Sequence, residues 1–562
     1  MLNFQSIRDT PAGQLLRQLG FRTTLAYAEE SASFQAPSFV SIRDYTPSDR
    51  TSDVEDKEAD VEADAVQKVP TVTATDLATS EDVITRTLSA KGIDNPIVVG
   101  WYSDKDIDNP RNWSFAKKSW VVVGLSLYTF VVYCTASIIT PLHDMTMVKY
   151  GVSEPVVSLG LSMYVLGYAI GPMFLSPVSE IPFIGRNIPY YSSFALFFLI
   201  SIILCVVDNF PAMIVLRFLQ GLFGSTPLAT GAATMEDIYD MYDAPYGYIW
   251  WIASMYCGPA LGPLFAGYAV SDNWRWPFYE TVIMSFIILL ILPFLPETSP
   301  SNILLRRAKR LRAATGNQSY LAASELKPLN FGRTLMDALN KPIVISILDP
   351  AIAYACVYGA IVYASYYSFF EVFPIVYLEI YQMSLGGMGL IFLSLTIGCA
   401  VGLVGYFYYL KKYFIPRARK YHEVNKKPVE HEEWLRPGLV GVWGVVAGLL
   451  LFAWTARESV HYIVPTIGIA IWSATSFIVF QSLVCYIPLT YPKYVASLFA
   501  ANDLVRSSTA AGFVEFTRYM YLDLGVGKGV TVVAGLSALG LIGHFGLFWF
   551  GKGLRARSKF TG

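Results

Sequence analysis

Charge is what this chain of 562 residues has least of. Asp, Glu, Lys and Arg together make up 15% of it, against about 25% in an ordinary soluble domain. With 54% hydrophobic residues, 36 Tyr and 35 Phe, that deficit excludes a wholly water-solvated fold and points to lipid as solvent. Histidine is sparse too: His143, His422, His431, His461 and His544 are scattered and form no catalytic cluster, which argues against a membrane enzyme. The six cysteines (Cys134, Cys205, Cys257, Cys356, Cys399, Cys485) stand singly in apolar stretches. They show neither a metal-binding spacing nor a disulfide framework. No G-x-x-x-x-G-K-[ST] loop occurs, which argues against ATP drive within the chain. The expectation is therefore no metal, no cofactor and no nucleic-acid partner. A signal peptide is missing as well, because MLNFQSIRDTPAG puts charge and proline where an apolar core would sit. The first membrane helix is expected to serve as its own targeting signal.

Long apolar runs are what the chain has in abundance. A bilayer crossing takes about 20 residues, and such runs lie at 119–139, 156–176, 190–207, 212–233, 246–268 and 277–295. Six more follow at 350–370, 384–409, 437–455, 462–486, 495–516 and 530–550. The reading is an all-α membrane protein of 12 transmembrane helices in two six-helix halves. Its expected parts are a largely disordered tail (1–116), a first bundle (117–296), a central loop (297–348), a second bundle (349–551) and a short terminal tail (552–562). Residues 43–82, rich in Asp, Glu, Ser and Thr, carry the disorder signature. Leu15, Leu16, Leu19 and Phe21 suggest a short surface helix before them.

The cations cluster in the connections 296–349 and 410–436, at Arg186, Lys117, Lys118 and Lys493, and in the terminal GKGLRARSKF. The positive-inside rule then places both termini and the central loop in the cytoplasm. On that topology the sequons at Asn112 and Asn317 face the cytosol and stay unmodified. Gly- and Pro-interrupted helices in two halves suggest a transporter that rocks about a central cavity.

Residues 211–237, PAMIVLRFLQGLFGSTPLATGAATMED, hold one cation in the membrane, Arg217, followed by Gln220, Gly221 and Gly224. A guanidinium there is costly and hence a functional candidate; the alternative is an arginine tied to backbone carbonyls for packing. The second span ends in GPMFLSPVSEIPFIGRN. Gly171, Glu180, Gly185 and Arg186, with Asp237, are read as a cytoplasmic latch between the halves, against plain loop charge. In the fifth span Gly258, Pro259, Gly262 and Pro263 pair close-packing glycines with prolines that lack a donor. They suit either a moving hinge or a merely kinked helix.

Taken together these motifs resemble the major facilitator superfamily. IDNPRNW (107–113), PET (296–298), RRAKRLRAATGN (306–317), FFEVFP (369–374), the stretch 491–506 and LRARS (554–558) narrow the likeness to the fungal twelve-span drug–proton antiporters of the fluconazole–benomyl group. The resemblance covers roughly residues 100–560. It implies a plasma-membrane antiporter, monomeric, that exports small, largely apolar drugs or toxins in exchange for protons. It also assigns Arg217, with Gln220, to proton coupling. One departure is Val514-Glu515-Phe516-Thr517, where relatives commonly have Pro-Leu-Phe-Gly. Glu515 is either an acid of the exit path or a headgroup-level carboxylate.

Arginine stays protonated at physiological pH, so it tunes a proton site without being one. Glu371, at the outer end of the seventh span, and Asp503 are the candidate acids. Asp503 and Arg506, three residues apart on one helix face, either neutralise each other or couple transport. Asp349 is expected to cap the seventh helix. For substrate, Tyr133, Tyr358, Tyr363, Tyr367, Phe370 and Gln481 are the cavity candidates, because aromatic faces accept varied apolar or cationic rings. The rival reading is a dedicated exporter of one endogenous metabolite: a secondary metabolite, an organic acid or a polyamine. Deep carboxylates suited to a polyamine are few.

Overall fold

The computed structural model describes residues 7–21, 23–31, 34, 96–270, 273–326, 331–490 and 495–556, with backbone alone at 331–335, 337, 338, 341 and 342. The expected disordered stretch 43–82, residues 491–494 of the 491–506 motif, and the end of LRARS lie outside the described residues. Twelve helices occupy the twelve apolar runs. They are α1 Phe115–Ser137, α2 Glu154–Glu180, α3 Asn187–Val206, α4 (Phe210–Gly224 and Thr226–Ile238, broken at Ser225), α5 Ala244–Ala269 and α6 Trp276–Ile291. After the central connection come α7 Pro350–Phe373, α8 Leu385–Tyr409, α9 Arg436–Thr455, α10 Ile463–Thr490, α11 Val495–Leu524 and α12 Val526–Ala556.

Local chemistry sets where they start. Side-chain caps from Ser114, Asn209, Asp349 and Ser384 accept backbone N–H groups in the first turns of α1, α4, α7 and α8, satisfying donors a helix start leaves open. Asp349 takes two, from Ala351 and Ile352, with Pro350 next to it. Among the described residues, ten helices are long and apolar enough to cross a membrane. The two that fall short are α5, with its prolines and glycines, and α11, which buries Asn502, Asp503, Arg506 and Ser507. Both lie where the halves meet: α5 packs on α8, and α11 packs on α2. Protein shields them from lipid, so the polarity costs little.

Close approach in the first half depends on missing side chains. A Cβ on Gly167 would strike the Phe218 carbonyl, one on Gly171 would strike Ser225, and one on Gly221 would strike the Tyr164 carbonyl. These glycines let α2 and α4 touch backbone to backbone. The fifth helix stays continuous through Pro259 and Pro263. Pro263 has no N–H for the Pro259 carbonyl four residues back, and Ser137 Oγ of α1 donates to that carbonyl at 2.8 Å instead. The expected kink site is thus a satisfied contact between α5 and α1, supported by Gly258 and Gly262 against Tyr133 and Ser137.

The described parts of the tail are folded. Pro11–Gln18 forms the short helix expected near the start. β1 (Ile97–Val99) pairs in parallel with β2 (Tyr320–Ala322) of the central connection, Val98 opposite Leu321. Beside this pair, the connection's helix Pro300–Thr315 buries Arg307 among tail carboxylates. The described residues of 7–31, 96–113 and the central connection therefore form one small module beneath the first bundle.

Candidate proton and substrate site

Arg217 is buried where α1 runs out. The carbonyls of Thr135 and Ala136 sit in the last turn of α1, where intrahelical donors end. Arg217 supplies them: Nη1 donates to Thr135 O at 2.9 Å and Nη2 to Ala136 O at 2.8 Å. Nε donates to Gly160 O of α2 at 3.1 Å, and Nη1 also reaches Gln220 Oε1 at 3.0 Å. Gln220 passes the link on by donating to Ser201 Oγ of α3 at 2.7 Å. The guanidinium also lies over the Tyr164 ring at 4.2 Å. It binds three helices, and among the described residues no carboxylate pairs with it.

The acid nearest in function comes from the other half. Glu371 and Arg217 line the same cavity, of about 30 Å³, with His143, Thr140, Ser158 and Phe278 among its walls. Glu371 is not at the end of its span, as expected, but inside it: α7 continues through a π-helical turn, Pro374–Ile380. Such turns recur at functional sites. His143 escaped the sequence reading because it was judged with four unrelated histidines. Its position just past α1 was the available signal.

The second candidate acid is already neutralised. Asp503 forms a buried ion pair with Arg506 one turn along α11 and accepts from Ser507 Oγ at 3.1 Å. Arg506 also reaches Tyr133 O–H at 3.4 Å and lies over the Tyr363 and Phe480 rings. Above it, the expected aromatic cavity is shut. Tyr168 of α2 bonds Tyr363 and Tyr367 of α7 through their hydroxyls, each at 2.7 Å, and Tyr133 packs edge-on against Tyr168 and Tyr363. What remains beside Tyr363, Tyr366, Phe480 and Arg506 is a pocket of about 10 Å³, too small for a drug.

Three cavity expectations are corrected. Tyr358 packs on Tyr354 and His544 inside the second half, and Phe370 stacks on Phe392 there. Gln481 donates to Pro245 O at 3.2 Å, across the halves in the first turn of α5, and so belongs to the closure at the face carrying the termini.

The expected latch is also corrected. Arg186 pairs with Asp237 at 3.1 Å and donates to Ser179 Oγ, while Glu180, exposed at the rim, acts on Arg186 and Asp237 through its charge without forming an ion pair. The missing carboxylate is Glu297, which accepts the Arg186 and Asn187 backbone N–H groups at 2.9 and 3.2 Å while Gly185 turns at φ +75°. All these partners belong to the first half, so the cluster braces one bundle. Gly171 belongs to the α2–α4 packing instead.

The halves meet elsewhere on that face. Asp243 pairs with Arg419 at 2.7 Å, and Tyr246 packs on Phe407. On the opposite face Ser162 Oγ donates to Glu515 Oε1 at 2.6 Å, and Arg518 pairs with Glu154. Both faces are closed. The Asp243–Arg419 pair is half exposed and worth little by itself, yet it marks a seam that transport must open. Linking Cys at 243 and 419 with a short cleavable thiol reagent is expected to stop transport, and reduction to restore it. Unchanged transport in the linked protein would mean that this seam stays shut throughout the cycle.

Two bundles joined by a closed seam, with charged and aromatic side chains buried at that seam, define a multi-pass membrane transporter of small molecules. The chain belongs to the Major Facilitator Superfamily, whose model matches residues 125–514. It is 43% identical to the MFS-type transporter pyvG of Aspergillus violaceofuscus, over 83% of this chain and 85% of that one. It is 35% identical to Fluconazole resistance protein 1 of Saccharomyces cerevisiae, again over 83% and 85%. Among solved structures it resembles the human organic anion transporter MFSD10, with a TM-score of 0.54 at 14% identity, over 76% of this chain and 99% of that one.

Proposed function

We propose that this chain exports small, largely apolar drugs or toxins from the cytosol across the plasma membrane in exchange for protons, with both termini cytoplasmic. The observation that carries the coupling is the shared cavity of Glu371 and Arg217, an acid and a fixed cation from opposite halves. While ionised, Glu371 is drawn toward Arg217 across the seam; a proton from outside cancels that attraction. The proton and the substrate then act through different affinities for the two states. The tyrosine cluster of Tyr133, Tyr168, Tyr363 and Tyr367, once parted, offers ring faces and hydroxyls to an apolar guest. Likeness to a fluconazole resistance protein supports apolar drugs as cargo.

The test is fluconazole accumulation in a fungal strain lacking its own pumps, with and without a protonophore. Expression of this chain should lower accumulation, and the protonophore should restore it. No change for fluconazole or any compound of a wider panel would instead favour the dedicated exporter of one endogenous metabolite.

A further inference from the structure

The 30 Å³ cavity holds a group that the reading above does not use. His143 opens the short helix His143–Tyr150 that follows α1, and its side chain lines the cavity together with Glu371 and Arg217. Its Nε2 is buried and has no hydrogen-bond partner. A buried polar atom left open is costly, so an unpartnered ring nitrogen on a cavity that also holds Glu371, Arg217, Thr140 and Ser158 points to something that binds there. Roughly 10–15 Å³ admits one water, so this space takes about two. Among the described residues, Glu371 makes no hydrogen bond or ion pair.

We propose that His143 and Glu371 together hold one external proton in this cavity, relayed between Nε2 and the carboxylate by water. This inference rests on the proton-coupled reading above. The lone pair of Nε2 accepts the incoming proton. The proton then passes through water to a Glu371 oxygen, which leaves the imidazole neutral again and the carboxyl uncharged beside Arg217. No electrons move. His143 is thus a positioning and relay residue, and Glu371 is the site where the proton rests.

The charges around the pair suit a port on the face opposite the termini. Acting on Glu371 are Arg518 and Glu515 of α11 and Glu154 of α2, Tyr521 of α11, and Arg217 of α4 across the cavity. Acting on His143 are Arg518, Asp144 and Glu154. Arg518 is itself paired with Glu154 and lies 4.0 Å from Glu379, so much of its charge is answered locally. The carboxylates at this rim attract protons, and the cavity behind them gives the proton a place to stop.

The purified full chain, without drug, tests the pair by proton uptake after a pH jump, read with a soluble indicator dye. Glu371→Gln should take up one proton fewer. His143→Gln should keep that proton but bind it with a midpoint roughly one pH unit (tenfold in affinity) lower, because the protonated Glu371 carboxyl loses the ring nitrogen that accepts from it through water and so favours its uncharged form. The same downward shift should appear in the pH profile of gradient-driven fluconazole efflux from proteoliposomes, with drug counterflow unchanged. A His143→Gln midpoint equal to that of the unsubstituted chain would overturn the proposal. That variant decides the matter even if Glu371→Gln fails to fold. Failure of the drug reading looks different: uptake and its shift persist while the unsubstituted chain moves no fluconazole.

Discussion

Replacing Arg217 with alanine is expected to stop gradient-driven export, with a loss of at least about a hundredfold, or nearly 3 kcal/mol. Alanine removes the cation facing Glu371, and it also strips the donors from Thr135 O, Ala136 O and Gly160 O. Each buried acceptor left open costs about 1–3 kcal/mol, so the end of α1 loosens where it borders the proton cavity. Arg217→Lys separates the two effects. An ammonium keeps the charge but lacks the planar fork that reaches carbonyls on two helices at once. It should therefore retain a pH response with a lowered maximal rate. Surface labelling and counterflow distinguish coupling from folding. If Arg217→Ala reaches the surface and still exports in response to a proton gradient, the coupling role is lost. If Arg217→Lys matches alanine in every respect, the fork matters more than the charge.

The twelve spans were legible because hydropathy needs only composition over about 20 residues. Even α5 and α11, the two that fall short of the helical hydropathy of the rest, stand out as apolar runs at 246–268 and 495–516. Their polarity marked the seam between the halves, which is what polar residues in a membrane usually mark. Arg217 was legible as an oddity, and the packing alternative weighed for it describes its actual contacts. The latch was not legible in full. Arg186 and Asp237 do meet, but spacing within one loop could not reveal that Glu297, over a hundred residues further on, would cap the turn at Arg186 and Asn187. Glu371 was misplaced because the π-helical turn carries α7 beyond Pro374, where a proline usually signals an end. The aromatic cluster was legible as a set on α7, but its partner Tyr168 lay on another helix with no pattern of its own. Contacts across sequence distance follow from folding, not from periodicity.

Arg307→Ala is expected to unfasten the tail from the central connection. In the native chain Arg307 is fully buried and meets Asp106 at 2.6 Å, Asp108 at 2.9 Å and Glu29 at 3.4 Å. Arg310 adds a second cation at 3.2 Å from Glu29, and Arg8 meets Asp108 at 2.5 Å. Removing one partner of a buried ion cluster costs about 3–5 kcal/mol, since carboxylates are left without their counter-charge. Amide exchange in residues 96–113 should then quicken by roughly a hundredfold or more at constant pH, each tenfold being about 1.4 kcal/mol. The sign of the pH dependence follows from Asp108. Burial by itself would raise its pKa, but Arg8, then Arg307 and Arg310, reverse this and hold it below the usual 3.8. A depressed carboxylate contributes stability that is complete above its unfolded value of about 3.9 and fades as pH falls through the lower folded value. The module should therefore keep its protection throughout the physiological range and loosen only in acid below about pH 4. Release of residues 96–113 already at pH 6, or unchanged exchange in Arg307→Ala, would show that β1–β2 pairing and apolar contacts hold the tail without this cluster.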